Sequence, residues 1–201
     1  MNNQSANSKK VLRVIIILII ILAGLVFLRA KRSVPKSGQV GEKGQEVTTT
    51  SPIPTAGISN NSMFLVASPE TIQVGSDIKI AVAFYAPGVI LSGADVILKY
   101  DPVFLKASQD LDLGQYFSSY PLKTIDNTKG NIRLTAFGGK SGPNSSAQVI
   151  FSVNLKAKKT GRTEIKLDYL SGSTNRSTLV EKGTSKNILS GVSNAVVEIR
   201  P

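Results

Sequence analysis

The stretch SGADVILKYDP, residues 92–102, carries two carboxylates, Asp95 and Asp101, with a phenol at Tyr100 beside the second. Carboxylates so placed could act as the acid and base of glycosyl transfer, or supply oxygen ligands to a hard cation. Neither use can be completed from this sequence. It contains no histidine and no cysteine, which removes imidazole bases, thiolate nucleophiles, thiolate metal sites and disulfides. A glycosidase pair needs a second carboxyl across the substrate, with one pKa raised, and the remaining acids are scattered. DLDLG, residues 110–114, opens like a calcium loop, but the twelfth position, where an EF-hand places its bidentate Glu, is Pro121. GGKSGPNSS, residues 138–146, lacks the Gly, Lys, Ser/Thr order that leads a phosphate loop into a helix. No catalytic residue, metal site or cofactor is expected, and the chain is read as a non-enzyme.

A structural role accounts for all three residues at the end of that stretch. Pro102 has no amide hydrogen and stops a β-ladder. Asp101 before it has a carboxylate free to accept backbone N–H bonds in the turn. Tyr100 points inward and anchors the strand end. Tyr100, Asp101 and Pro102 are therefore expected to form a strand terminus.

The elements around it have a period of two. MFLVAS, DIKIAVAFYA, ADVILKY, NIRLTAF, AQVIFSVNLKA, TEIKLDYL and AVVEIR are short β-branched or aromatic runs separated by Gly, Pro, Asn and Ser clusters. No 3.6-residue apolar stripe follows residue 30. The fold class is all-β, a sandwich or jelly roll. Alternation sorts the faces. Ile78, Ile80, Val82, Phe84, Val96, Leu98, Tyr100, Ile132, Leu134, Val149, Phe151, Val153, Leu155, Ile165, Leu167 and Tyr169 are expected inside. Asp95, Ile97 and Lys99, with Asn131, Arg133 and Thr135, are expected outside, Ile97 as an exposed apolar residue between two charges. Tyr85, Tyr116, Phe117 and Tyr120 are the aromatics expected to face outward, where a sugar could stack.

The formal charge of +11 suggests nucleic acid until it is located. Most of the excess lies before residue 45, around the apolar run VLRVIIILIIILAGLVFL at residues 11–28. The remainder has no basic cluster interleaved with aromatics, so nucleic acid is not expected. About 20 apolar residues cross a bilayer as a helix, and no small-residue cleavage pattern follows this run. Residues 1–10 are read as a short cytoplasmic N-terminus, 11–30 as a transmembrane signal-anchor helix, 31–61 as a linker and 62–201 as the domain. The Gly, Ser, Thr and Pro-rich linker would span roughly 25–30 Å as a flexible chain. The domain is expected on the extracytoplasmic side, displayed at the cell surface.

The ordered set VGSDIKIAVAFY, SGADVILKYDPVFLKA, GNIRLTAFGG and AQVIFSVNLKAKKTGRTEIKL resembles a cohesin domain across roughly Phe64 to Ile199. The resemblance implies a nine-stranded jelly-roll related to carbohydrate-binding modules. It also implies that one flat sheet face binds a dockerin module borne by a polysaccharide-degrading enzyme. Asp95 matches the Asp that in this family lies shortly before YDP on that face, and Gly93 stands where the best-known type commonly has Asn. The implied partner face is Asp95, Ile97, Lys99, Arg133 and Thr135. On this reading Ile97→Asp abolishes capture without altering thermal unfolding. The alternative partner is a polysaccharide, held by Tyr85, Tyr116, Phe117 and Tyr120, and a third reading is a purely structural surface protein.

Overall fold

The computed structural model describes residues 59–201; the expected anchor helix, and all of the expected linker before residue 59, lie outside them. Every described element is a strand: β1 (Ser62–Ser68), β2 (Thr71–Gln73), β3 (Asp77–Tyr85), β4 (Leu91–Lys99), β5 (Leu105–Leu113), β6 (Phe117–Asp126), β7 (Asn131–Gly139), β8 (Gln148–Ala157), β9 (Gly161–Leu167), β10 (Thr178–Glu181), β11 (Gly191–Ser193) and β12 (Ala195–Arg200). Among the described residues no helix is long and apolar enough to cross a membrane.

The strands form two mixed sheets. One has the order β11-β1-β3-β8-β5, and the other β2-β12-β9-β4-β7-β6 with β10 also paired to β4. Pairing is antiparallel except where β11 joins β1 and β2 joins β12. Among the described residues there are twelve strands where the resemblance implies nine, and nine of the twelve have six or more residues. The count of twelve arises because three-residue pieces β2 and β11 complete the sheet edges, and because the chain leaves β4 after β9 and rejoins it as β10.

Alternating side chains from both inner faces fill the space between the sheets. Ile78, Ile80, Val82 and Phe84 are fully buried, as are Leu98, Ile132, Phe151, Leu155 and Ile165. Each such side chain contributes about 1.5–3 kcal/mol when removed from water. Among the described residues the core runs from Met63 to Ile199 and is closed by side chains of both sheets, so the domain carries the apolar core it needs to fold.

The alternation fails within β8. The β3–β8 register steps from Val82↔Phe151 to Ala83↔Val149, which leaves Ile150 as the extra residue of a β-bulge. A bulge inverts every side chain beyond it. Ile150 is therefore fully buried, and Val149, expected inside, is only half-buried. Tyr169 is also half-buried, beyond the end of β9, with its hydroxyl donating to the Leu189 carbonyl at 3.2 Å.

The YDP terminus takes the form expected of it. β4 ends at Lys99, and Tyr100 is 5% exposed. The Asp101 carboxylate accepts the Val103 N–H at 2.8 Å, and its carbonyl accepts the N–H groups of Phe104 and Leu105. The Tyr100 hydroxyl donates to Asn127 Oδ1 at 2.8 Å. Asn127 in turn exchanges bonds with both backbone groups of Ala107, which ties β4, the β6–β7 turn and β5 together. Burial pushes the Tyr100 phenol above its usual pKa. Gly130 closes that turn at φ 61° and bonds Tyr100 N–H through its carbonyl at 2.9 Å; a Cβ there would collide with the Tyr100 carbonyl.

Candidate functional site

The outer face of the larger sheet is set by register. Residues directly opposite one another in an antiparallel pair share a face, so Gly93, Asp95, Ile97 and Lys99 of β4 align with Phe137, Thr135, Arg133 and Asn131 of β7. Ser119, Leu122, Thr124 and Asp126 of β6 extend the same rows outward. The five residues expected to form the partner face are thus brought together on two adjacent strands.

Their environments differ from the expectation in one respect. Asp95 is half-buried and fixed: Thr135 Oγ1 donates to its Oδ1 at 2.6 Å, and Thr178 Oγ1 donates to its Oδ2 at 3.3 Å. Lys99 and Arg133 are exposed and Thr135 is half-buried. Ile97, expected to be exposed, is only 7% accessible. The cause is the ten-residue excursion 168–177 between β9 and β10, which folds over it. At Ile97 the ladder is interrupted, and the excursion supplies the missing bonds: Asp168 N–H donates to the Ile97 carbonyl at 2.8 Å, and the Ile97 N–H donates to Ser177 Oγ at 3.0 Å.

A three-charge cluster holds the excursion in place. Asp168 accepts Arg176 Nη1 on both oxygens, at 2.6 and 2.7 Å, and Lys99 Nζ at 2.7 Å. The covered ground between β4, β7, Leu122 and residues 174–176 is a shallow notch of roughly 260 Å³. Beside it, Leu122 is 44% and Phe137 52% exposed. Gly93 makes room for Phe137, since a Cβ there would lie 2.9 Å from the ring.

The expected outward placement of the aromatics is corrected by their burial. Tyr116 and Phe117, expected to face outward, are 2% and 3% exposed. They form an edge-to-face cluster with Phe84, the Tyr116 ring 5.0 Å from Phe84 and 4.9 Å from Phe117. They sit where the chain crosses from one sheet to the other, so their rings close the end of the core. Tyr85 and Tyr120 are half-buried, and the Tyr120 hydroxyl is shared between the carbonyls of Gly114 and Ile150. The four do not form a stacking platform. DLDLG lies at the end of β5, where Asp112 pairs with Lys79 at 2.8 Å.

The sequence reading missed several residues of the face. Phe137 was within reach, because it continues the outward parity of Asn131, Arg133 and Thr135. Leu122 follows the irregularity at Pro121, where parity is lost. Asp168, Arg176 and Thr178 meet β4 only through long-range contacts and leave no local signal.

The family model for the Cohesin domain matches residues 63–194. The chain belongs to the cohesin domain family. Its fold is similar to a type II cohesin domain from the cellulosome of Acetivibrio cellulolyticus, with TM-score 0.57 and 18% identity over 69% of this chain and 95% of that one. It is similar to a type I cohesin–dockerin complex from Clostridium thermocellum, with TM-score 0.54 and 14% identity over 70% and 100%. A non-cellulosomal cohesin from the archaeon Archaeoglobus fulgidus gives TM-score 0.52 and 15% identity over 70% and 92%. At these identities the likeness is one of fold. No curated protein matches the chain.

The charge cluster makes this cohesin domain acid-sensitive in a predictable direction. Burial acts to raise the Asp168 carboxyl, but Lys99 and Arg176 outweigh it and hold the group below the usual carboxylate range. A depressed folded-state pKa gives stability that is present above the unfolded value of about 4 and is lost as pH falls through the lower folded value. Asp168→Asn is expected to lower the thermal midpoint at pH 7 and to flatten its decline below pH 4. Parallel melting curves from pH 7 to 2 check this; an unchanged acid limb would assign the effect to other carboxylates.

Proposed function

We propose that this cohesin is a membrane-anchored, extracytoplasmic binding module that captures a protein partner on the outer face of β4, β6 and β7. The partner class is a dockerin-like module, borne by a polysaccharide-degrading enzyme. One observation carries the reading: Asp95 sits midway along the interior strand β4 on the outer sheet face, held by two threonine hydroxyls from different strands. A carboxylate already held in one geometry, on a face that also exposes Leu122 and Phe137, loses little side-chain freedom when a partner docks on it. Family membership supports it, as does the Clostridium thermocellum relative, whose structure is a cohesin–dockerin complex. The Archaeoglobus fulgidus relative is non-cellulosomal, so a cellulosome is not a requirement of the reading.

The anchor rests on the apolar run at residues 11–28. Display outside the cell rests on the polar Gly, Ser, Thr and Pro-rich spacer that follows the run. Protease added to intact cells is expected to remove the domain, and full protection would reverse the orientation.

The binding test uses the soluble domain, residues 62–201, as bait against the organism's own surface and secreted proteins. The expected capture is a protein with duplicated calcium-binding loops that chelator releases. Asp95→Ala is expected to weaken that capture at least about tenfold, a loss of 1.4 kcal/mol or more. Its thermal midpoint should fall by the equivalent of about 1–2 kcal/mol, because Thr178, 3% exposed, loses the acceptor of its hydroxyl while the half-buried Thr135 can turn to water, so capture is compared at a temperature where both proteins are folded. Retention of a polysaccharide with no protein would replace this reading with glycan binding.

A further inference from the structure

Cations on the outer face of the larger sheet are mostly committed. Lys99 and Arg176 share Asp168, Lys166 has Glu164 at 3.0 Å, and Arg200 has Glu198 at 3.1 Å. Arg133 differs. It is exposed at the middle of the face, and among the described residues no carboxylate lies within ion-pair reach of it. The diagonal acid, Asp95, already has both oxygens bonded by Thr135 and Thr178. Around the notch three cations (Lys99, Arg133 and Arg176) therefore stand against two acids (Asp95 and Asp168), which leaves one positive charge unanswered.

The notch itself is amphipathic. Arg133, Arg176, Thr174 and Asn175 line it with donors, Ile97 and Leu122 line it with hydrocarbon, and its one acid, Asp95, has its two oxygens taken by Thr135 and Thr178. A methylene stem ending in a carboxylate satisfies both parts. A lysine stem would suit the hydrocarbon but bring its charge against two guanidinium groups. A glutamine would fill the space and leave Arg133 without a countercharge. A guanidinium fork takes a carboxylate through two parallel N–H bonds, a geometry an ammonium lacks. Leu122 and Phe137, both about half-exposed, lie beside the notch and fit an apolar neighbour of that side chain.

We infer that the captured partner seats a glutamate side chain in this notch, its carboxylate on Arg133. The inference rests on the protein-binding reading above and names the chemistry that the partner must present. It makes Arg133 the residue that selects an acidic contact, with the excursion 168–177 as the wall of the pocket.

The smallest probe of the seat is glutarate, titrated into the isotope-labelled domain with glutaramide and inorganic phosphate as separate arms and read by NMR. Glutarate is expected to shift the amides of Ile97, Arg133 and residues 174–176 together with the Arg133 side-chain N–H, and to do so about tenfold more tightly than glutaramide, as one charge-assisted contact predicts. Arg133→Gln should abolish the shifts with the thermal midpoint unchanged, and Arg133→Lys should restore only part of them. Shifts that survive Arg133→Gln, or equal shifts with phosphate at the same amides, would overturn the inference. Partner capture separates the two claims. If a protein partner is bound and Arg133→Glu leaves its affinity intact, the glutamate seat falls and the binding role stands. If glutarate binds as described and no protein is captured, the binding role falls.

Discussion

Ile97→Asp is expected to destabilise the domain by about 3 kcal/mol, and not merely to disarm its surface. Alternation alone places Ile97 outside, where a carboxylate would be harmless. The excursion 168–177 changes that, leaving the side chain 7% exposed. Removing it to Ala is expected to cost about 2 kcal/mol, the low end for a buried isoleucine because one side of the site is a notch that solvent can enter. A carboxylate adds desolvation. Arg133 lies directly opposite in register and recovers part of that charge penalty, which is why the total stays near 3 kcal/mol and not higher. Ile97→Val, which keeps the shape, should cost about 1 kcal/mol. Urea unfolding of the three variants measures the series. Equal midpoints for wild type and Ile97→Asp would mean that the excursion does not cover β4 in solution. Loss of partner capture in Ile97→Asp then reports lost fold, so Asp95 and Arg133 are the substitutions that interrogate binding.

The sequence was legible where burial is two-valued along a strand. DIKIAVAFY, ADVILKY and NIRLTAF alternate because one side of each meets the core and the other meets water; the structure follows that parity through NIRLTAF and departs from it in the other two only at Ala83 and Ile97, both buried. Two strands gave no such pattern. In β5 only Leu105 and Ala107 are fully buried, and in β6 only Phe117. Both are edge strands, where one flank has no neighbour, and their polar composition with Pro121 suits an edge that must not recruit another chain. A period-two search has nothing to detect there. The site divides the same way. Asp95, Lys99, Arg133 and Thr135 were placed by parity on two strands whose pairing brings them together. The Asp168–Arg176 clamp, and with it the burial of Ile97, depends on an excursion whose sequence, DYLSGSTNRS, reads only as a turn-rich connection. Its position over β4 is a tertiary fact.

Tyr116→Ala is expected to have the largest effect of any substitution considered, about 4 kcal/mol. The ring is 2% exposed and sits at the centre of an aromatic cluster, edge-on to both Phe84 and Phe117. Such pairs add roughly 0.5–1.5 kcal/mol beyond the area they bury. The hydroxyl contributes less. It accepts the Leu91 N–H at a long 3.3 Å, so Tyr116→Phe should cost about 1 kcal/mol or less. The difference between the two variants isolates the ring from the phenol. For a domain whose total stability is of order 5–15 kcal/mol, loss of the ring removes a large share and lowers the fraction folded at physiological temperature. This bears on function because an aromatic that abolishes sugar binding when truncated is ordinarily taken for a stacking platform. Here the same loss would follow from an open core. Urea unfolding of Tyr116→Ala, read beside that of Tyr116→Phe, decides the matter. A midpoint shared by both variants and the wild type would return Tyr116 to the surface and restore the carbohydrate reading, whereas the expected drop for Tyr116→Ala alone leaves the face of Asp95 and Arg133 as the place where this cohesin meets its partner.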